Sequence, residues 1–468
     1  MKNEKILVLF CALFLLVANG FAQSENQDLA AKVDEYMNAF VKAKNVGGAV
    51  LVAKDGKILV SRGYGLANVE LNVPNGANTK FRIGSLTKQF TSAAVMILQE
   101  RGKLSVRDAA CKYLDDCPEA WKAVTIHQLL THTSGIPSFT AIQEWKTKRV
   151  LSLTPAETLA LVRDAPLKFK PGEDYEYSNT GYYLLGIIVE RASGKNYWQF
   201  LDERIFKPLK MNSTRNTDRR LIVANRAAGY GWIGDRWENR PALAPFVAFS
   251  AGSLLSTVED LAKWDAALYT EKLLKKSSLE RMWTPAKTNT GEAAAVDYGF
   301  GWFVEKYRGR RDILHSGGTP GFSSVMHRFS DDRLSVIILT NHADIILEQM
   351  ALEIAGMYQP KLKYNEPAVD PNAPQTARMR QIFFGLFEGR FDSEAFTPAM
   401  NTHLKTATGK SFFGWYASMG AIESFNFLER ETSDGLSVLR YRVRLGESAF
   451  RFSFKITNDG KIAQIYCW

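Results

Sequence analysis

A serine hydroxyl is a weak nucleophile until a base removes its proton, and Ser85 has a candidate base three residues on, in Lys88. The stretch Phe81-Arg82-Ile83-Gly84-Ser85-Leu86-Thr87-Lys88 runs into residues 89–98, where apolar side chains recur at helical spacing, and Gly102 offers a stop. Ser85 is therefore expected near a helix N-terminus, with Lys88 about one turn along on the same face. Lysine can act as the base if its pKa is lowered. Serine and lysine are common, so the spacing alone is equally open to accident. A second candidate is Tyr177-Ser178-Asn179, between the turn Pro171-Gly172 and the helical run 180–189. Here Tyr177 can relay a proton to a leaving group and Asn179 can hydrogen-bond a substrate amide, although a plain helix N-cap accounts for the same residues. The third is His315-Ser316-Gly317-Gly318, at the end of an expected strand. Its glycines let a substrate approach the backbone, so a strand N–H can face a developing oxyanion. His315 and Ser316 can donate to a substrate carboxylate or carbonyl. A strand end running into the turn Thr319-Pro320-Gly321 explains the residues as well.

Something must bring these three distant fragments together. Residues 28–43 have the pattern of an amphipathic helix, and the strand-like runs Gly48–Ala53 and Lys57–Gly63 flank Asp55-Gly56, a strong hairpin signal. The middle, about 86–285, is mostly helical in pattern. Strands return at Asp312–His315, Ser324–Phe329 and Leu334–Thr340, with Asp331-Asp332 turning the last pair. The expected fold class is α+β: one antiparallel sheet built from both ends of this region, flanked by helices, with an all-helical block inserted. Such a seam is a common place for a site. Residues 359–375 hold Pro360, Pro367, Pro371 and Pro374 and read as a linker. After it come a helix at Thr376–Phe387 and strands at about 421–430, 436–445, 448–457 and 461–467, a small α+β accessory domain. In the second of these strands Leu439, Tyr441, Val443 and Leu445 face one way and Arg440, Arg442 and Arg444 the other. The arginine stripe reads as a solvated face.

The chain has 468 residues, 46% of them hydrophobic and 23% charged, enough for a large core and more than one domain. Its net charge of +10 is scattered, so no nucleic-acid site is expected, while attraction to anionic envelope polymers and plain solubility fit it equally. Lys2 and Lys5, the apolar run Ile6–Val17 and Gly20-Phe21-Ala22 read as a signal peptide over 1–22. The alternative, an uncleaved anchor, has a short apolar run for a span. The expected organisation is thus signal peptide 1–22, main domain 23–358, linker 359–375 and accessory domain 376–468. The protein would be secreted or periplasmic, with no stable membrane insertion after signal removal. Cys111 and Cys117 are near enough to close a small disulfide loop, while Cys467 is left over; three unpaired thiols remain equally open. No Cys/His spacing suggests a metal site, and no cofactor is expected. No Gly-x-Ser-x-Gly elbow occurs, which disfavours a general α/β-hydrolase.

Taken together, Ser-x-x-Lys, Tyr-Ser-Asn and His-Ser-Gly, in this order and widely separated, resemble the serine β-lactamase and penicillin-binding-protein superfamily. Leu129-Leu130-Thr131-His132-Thr133-Ser134-Gly135-Ile136-Pro137 and Phe249-Ser250-Ala251-Gly252-Ser253-Leu254-Leu255-Ser256-Thr257 are similar to segments of its class C-like branch. The resemblance spans about residues 29–345 and implies the fold deduced above. It implies that Ser85 is the acylated nucleophile, with Lys88 its base or part of a proton network shared with Tyr177. It also implies that Asn179, His315, Ser316 and Gly317 bind substrate and that the N–H groups of Ser85 and Gly318 form an oxyanion hole. His132 is expected to be structural. Class C β-lactamases usually present Lys-Thr-Gly where this chain has His315-Ser316-Gly317, whereas a histidine there is similar to DD-peptidases, esterases and amidases. A histidine near its reference pKa of about 6.5 is partly charged at neutral pH, so recognition of an anionic substrate would be weaker or pH-dependent. The expected activity is a secreted serine hydrolase of DD-peptidase or esterase type, cleaving a small amide or ester such as a D-amino-acid peptide, with cell-wall fragments among its expected partners. A β-lactamase and a non-hydrolytic β-lactam or wall-fragment binding protein are the alternatives. The accessory domain lies outside the resemblance and is faintly similar to cone-shaped domains of the nuclear-transport-factor-like type.

Overall fold

Asp55 and Gly56 both take left-handed backbone angles, with φ of 52° and 74°, as a two-residue hairpin of type I′ requires. They join β1 (Gly48–Lys54) to β2 (Lys57–Tyr64). The computed structural model describes residues 27–467, except 43–46, 152, 219, 234–235, 242, 344–346, 364–368, 391, 406–412, 415, 418–419, 434 and 446–447. The expected signal peptide and part of the expected linker lie outside the described residues.

The other neighbour of β1 comes from nearly 300 residues away. β3 (Phe303–Tyr307), β4 (Arg310–Thr319), β5 (Phe322–Phe329) and β6 (Leu334–Thr340) complete a six-stranded sheet of order β3-β4-β5-β6-β1-β2. In it Gly48 stands opposite Thr340 and Lys54 opposite Leu334, antiparallel throughout. Side chains alternate between two cores. Ala49, Leu51, Ile337 and Leu339 enter one, and Val50, Val52, Val336 and Ile338 the other. The first core is completed by α2 (Thr87–Glu100), α3 (Asn179–Ser193) and α4 (Val258–Ala267). The second is completed by α1 (27–42) and α5 (Glu348–Tyr358). The expected sheet with an inserted helical block is therefore observed. Two details were not anticipated. β3 is a further edge strand, and the helical block carries a short sheet in which Phe81–Arg82 and Arg215–Asn216 flank Leu254–Ser256. Cys111 and Cys117 are joined as a disulfide with Cα atoms 5.4 Å apart.

Beyond residue 369 come α6 (Ala373–Phe387) and α7 (Pro398–Lys405), then a meander of β7 (Ile422–Ser433), β8 (Leu436–Leu445), β9 (Ser448–Ile456) and β10 (Ile462–Cys467). Phe383, Tyr441, Phe452 and Phe454 belong to its own apolar core. The arginine stripe is not the solvated face expected of it. Arg440 is 1% exposed, paired with Glu429 and Glu431, and donates to the carbonyl of Lys306 on β3. Arg451, equally buried, donates to the Tyr307 hydroxyl. The cause is the open edge of β3, whose backbone groups need partners and receive them from this face. The stripe emerges into solvent only at Arg444.

Candidate active site

Ser85 lies in a 3-10 turn, Gly84–Leu86, that feeds directly into α2. Pairing of Phe81–Arg82 with Leu254–Ser256 fixes this turn from behind, and Ile83 N–H donates to Leu254 O at 3.0 Å. Lys88 is fully buried, whereas Ser85 keeps partial exposure. The Lys88 Nζ lies 3.0 Å from Ser85 Oγ, 2.9 Å from Asn179 Oδ1 and 2.8 Å from Ala251 O. The last two are carbonyl oxygens and can only accept. A neutral amine has two N–H bonds for them and one lone pair for the hydroxyl of Ser85. Burial holds the Lys88 pKa well below the ordinary lysine value, which favours that neutral form. The Ala251 carbonyl reaches Lys88 from a kinked helical turn. Phe249 there has φ 38° and ψ −127°, a costly conformation for an L-residue, clamped by rings of Tyr183 and Tyr197 at 5.2 and 5.0 Å.

Ser178 caps α3 by accepting from Gly181 N–H, so the capping and chemical explanations of this motif both hold. The cap leaves Tyr177 and Asn179, on either side of it, facing the partly exposed site. The Tyr177 phenol lies on the Ser85 side of the site, and burial raises it far above the usual value, so the phenol keeps its proton. Its ring stands 4.8 Å from Lys88 Nζ. Asn179 Nδ2 donates to Thr140 Oγ1 at 3.1 Å, and its backbone N–H to Ser138 Oγ at 3.1 Å. His132 does not contact Ser85. Its Nδ1 accepts from Ser178 N–H at 3.1 Å, and its ring packs 4.2 Å from that of Tyr177. Burial, the largest cause, pushes its pKa well below the ordinary value, so it supports this loop as a neutral ring.

His315 departs from expectation. It is 1% exposed; its Nδ1 lies 2.5 Å from Ser316 O and its Nε2 2.9 Å from the Tyr298 hydroxyl. A carbonyl only accepts, so Nδ1 carries the proton and Nε2 accepts from the phenol. Burial, the dominant cause, pushes the imidazole down to about 3. A partly charged histidine facing substrate is thus corrected to a neutral one turned inward. Strand alternation is the reason: residue 315 falls among Tyr298, Phe303 and Tyr177, and Ser316 is the half-exposed neighbour. At Gly317 a Cβ would lie 2.2 Å from Ile83 O and 2.9 Å from Ser85 N, whereas at Gly318 it would meet nothing within 4 Å. At Gly84, with φ +49°, a Cβ would lie 2.9 Å from Gly318 N. The end of β4 therefore abuts the turn that carries Ser85, a contact locked by Ser324 Oγ donating to Ile83 O at 2.9 Å. The amides of Ser85 and Gly318 become neighbours beside the hydroxyl. This arrangement can hold a developing oxyanion.

Four contributors were missed from sequence. The Ala251 carbonyl leaves no signature because any residue has one. Ser138 and Thr140 sit in a loop without a pattern. Tyr298 is a lone tyrosine in an irregular segment. Among the described residues no group of three or more His, Cys, Asp or Glu could hold a metal ion, and no helix is long and apolar enough to cross a membrane.

The family profile described as Beta-lactamase matches residues 29–348. Penicillin-binding protein 4* of Bacillus subtilis (strain 168) is 30% identical over 431 residues, covering 88% of this chain and 93% of that protein. Among solved structures, the octameric penicillin-binding protein homologue from Pyrococcus abyssi superposes with a TM-score of 0.64 at 25% identity, over 92% of this chain and 94% of that one. A D-stereospecific amidohydrolase from Streptomyces sp. gives 0.59 at 27% identity, over 69% and 97% respectively.

Proposed function

The chain belongs to the beta-lactamase family and is a serine hydrolase related to the penicillin-binding proteins; we propose that it works through an acyl-enzyme on Ser85 and cleaves a small amide or ester of a D-amino acid. The observation that carries this is the set of three contacts on Lys88 Nζ, two of them to obligate acceptors. Neutral Lys88 takes the Ser85 proton as Oγ bonds to the substrate carbonyl carbon. The carbonyl oxygen gathers negative charge between the Ser85 and Gly318 N–H groups. The proton passes through the Tyr177 phenol to the leaving amine or alkoxide as the C–N or C–O bond breaks. Water then attacks the ester, releasing the acid and returning a proton to Ser85. Asn179 keeps its second Nδ2 hydrogen for a substrate carbonyl.

The D-amino-acid preference draws support from the amidohydrolase similarity. Neutral, inward-facing His315 offers no fixed cation to an anionic substrate, which favours amide or ester cleavage over antibiotic turnover. The signal-like segment 1–22 supports a secreted enzyme whose small peptides come from the cell wall. The test is a panel of D-amino-acid amides, short D-peptides, nitrophenyl esters and a chromogenic cephalosporin, assayed with wild type and Ser85→Ala. Turnover of D-amides or esters, lost in Ser85→Ala, with an acyl adduct on Ser85 by mass spectrometry, is the expected result. Turnover that survives Ser85→Ala would overturn the proposal.

A further inference from the structure

Between Thr284 and Gly301 the chain is irregular, held by isolated bridges such as Lys287 with Ala293 and Tyr298 with Phe303. Yet this segment supplies Tyr298, whose phenol bonds His315 Nε2 and whose ring stands 4.7 Å from His132 and 6.3 Å from Tyr177. A phenol placed to hydrogen-bond accuracy needs a firmer hold than such a loop provides by itself. That hold comes from the C-terminal meander. Lys455 on β9 meets Asp297, the residue before Tyr298, at 2.5 Å, with the two side chains only 12% and 18% exposed. Tyr466 on β10 donates to the same carboxylate at 3.4 Å, and Gln464 donates to Ala294 O at 3.1 Å. On the other flank, His403 of α7 hydrogen-bonds the backbone of Tyr175, two residues before Tyr177. Tyr175, Ala294 and Tyr298 form one apolar cluster, with Tyr177 packed against it.

We propose that the Asp297–Lys455 pair is a positioning device through which the C-terminal meander fixes Tyr298, and through it His315 and Tyr177, in register with Ser85. The proposal builds on the acyl-enzyme reading. A meander that touches the segments carrying two site residues sets their geometry without touching substrate, and a displacement near 1 Å at such a site can slow chemistry on the order of 100-fold. The pair is largely withdrawn from water, so each partner left alone is a poorly solvated charge and the loop shifts to relieve it.

The experiment uses the full chain. Lys455→Met and Asp297→Asn remove the pair, and Lys455→Arg restores a cation. Arg308→Gln loosens the same interface at the Arg308–Glu429 pair, 2.7 Å in length, without touching Asp297. The readouts are the burst rate of Ser85 acylation by a nitrophenyl ester, KM, the thermal midpoint, and the 15N shift of His315 Nε2. Lys455→Met and Asp297→Asn are expected to slow acylation about tenfold or more with KM changed less than about twofold. Lys455→Arg recovers most of the rate, and Arg308→Gln lowers the midpoint without slowing acylation. An acylation rate unchanged in Lys455→Met, or slowed equally in Arg308→Gln, overturns the proposal. The His315 shift reports the Tyr298 bond whether or not Ser85 acylates, so it separates failure here from failure of the acyl-enzyme reading. A shift unmoved in Lys455→Met sinks the positioning role alone.

Discussion

His315→Asn tests the inward, neutral histidine. The imidazole is pushed from its ordinary 6.5 down to about 3, chiefly by burial. Between those values the unfolded chain binds a proton that the folded chain refuses. Stability is therefore lost as pH falls through 6.5, and the loss levels off near pH 3. With about 1.36 kcal/mol per unit, the histidine removes about 2 kcal/mol at pH 5 relative to pH 8, on the way to a limit of about 5 kcal/mol. In the variant the asparagine Nδ2 can still donate to Ser316 O, but the buried Tyr298 phenol loses its acceptor, at a cost of about 1–3 kcal/mol that does not vary with pH in this range. The two stability curves should therefore converge on acidification. The gap between wild type and variant shrinks by about 2 kcal/mol from pH 8 to pH 5. His342, pushed to about 4 by burial, titrates in both proteins and cancels. Urea unfolding at a series of pH values reads the gap. A gap constant within about 0.5 kcal/mol, or an imidazole seen by NMR to protonate near pH 6.5, would show the ring to be solvated and the reasoning wrong.

Lys88→Met should slow Ser85 acylation about 100- to 10,000-fold in a stopped-flow burst assay, and Lys88→Arg should not recover it, because a guanidinium does not give up its proton. Gly317→Ala drives a Cβ into backbone at Ile83 and Ser85 and should cost about 100-fold or more in kcat, whereas Gly318→Ala meets open space and should stay within about threefold; equal losses would contradict the close contact of β4 with the nucleophile turn. Reducing the Cys111–Cys117 bridge, which spans a separation of 6, should lower stability by about 2 kcal/mol, read as a drop in thermal midpoint that the double serine variant reproduces without reductant.

Local signals carried much of the fold. Asp55-Gly56 announces its hairpin because only a few residues tolerate two left-handed positions in a row. Leu334–Thr340 is legible because a strand buried on both faces is a nearly continuous apolar run, here interrupted only by Ser335 before Thr340 closes it. β3 was not legible. Phe303-Val304-Glu305-Lys306-Tyr307 is short and half charged, and it is a strand because β4 pairs with one edge and the C-terminal arginines cover the other. Arg440 shows the converse limit. Alternation correctly sets it opposite Leu439 and Tyr441, but period two says only which side a residue faces, not what lies there. A usable clue was present in Glu429 and Glu431, which alternate in phase on the neighbouring strand. Paired acids and bases across a hairpin can mean a buried ionic face as readily as a wet one.

The site divides along the same line. Residue type and order were enough to single out Ser85, Lys88, Tyr177 and Asn179, and the folded chain gathers them around Lys88 Nζ, which hydrogen-bonds Ser85 and Asn179 and stands 4.8 Å from the Tyr177 ring. Their charge states were out of reach, because desolvation belongs to the assembled fold and not to any residue. One cause, burial in a cage of aromatic rings, lowers Lys88, raises Tyr177 and lowers His315. Burial thereby favours a neutral Lys88 and a protonated phenol, the two states that the proposed proton transfer from Ser85 to a leaving group requires. With neutral histidine at 315, no cation at that position helps to drive the proton off Lys88, and burial is the dominant cause of its lowered pKa. The rings of Tyr177 and Tyr182, 4.8 and 5.3 Å from Nζ, therefore support the role proposed for Lys88: they exclude the water that would otherwise solvate an ammonium. Any element that keeps those rings packed, however far from Ser85 in the chain, acts on the chemistry.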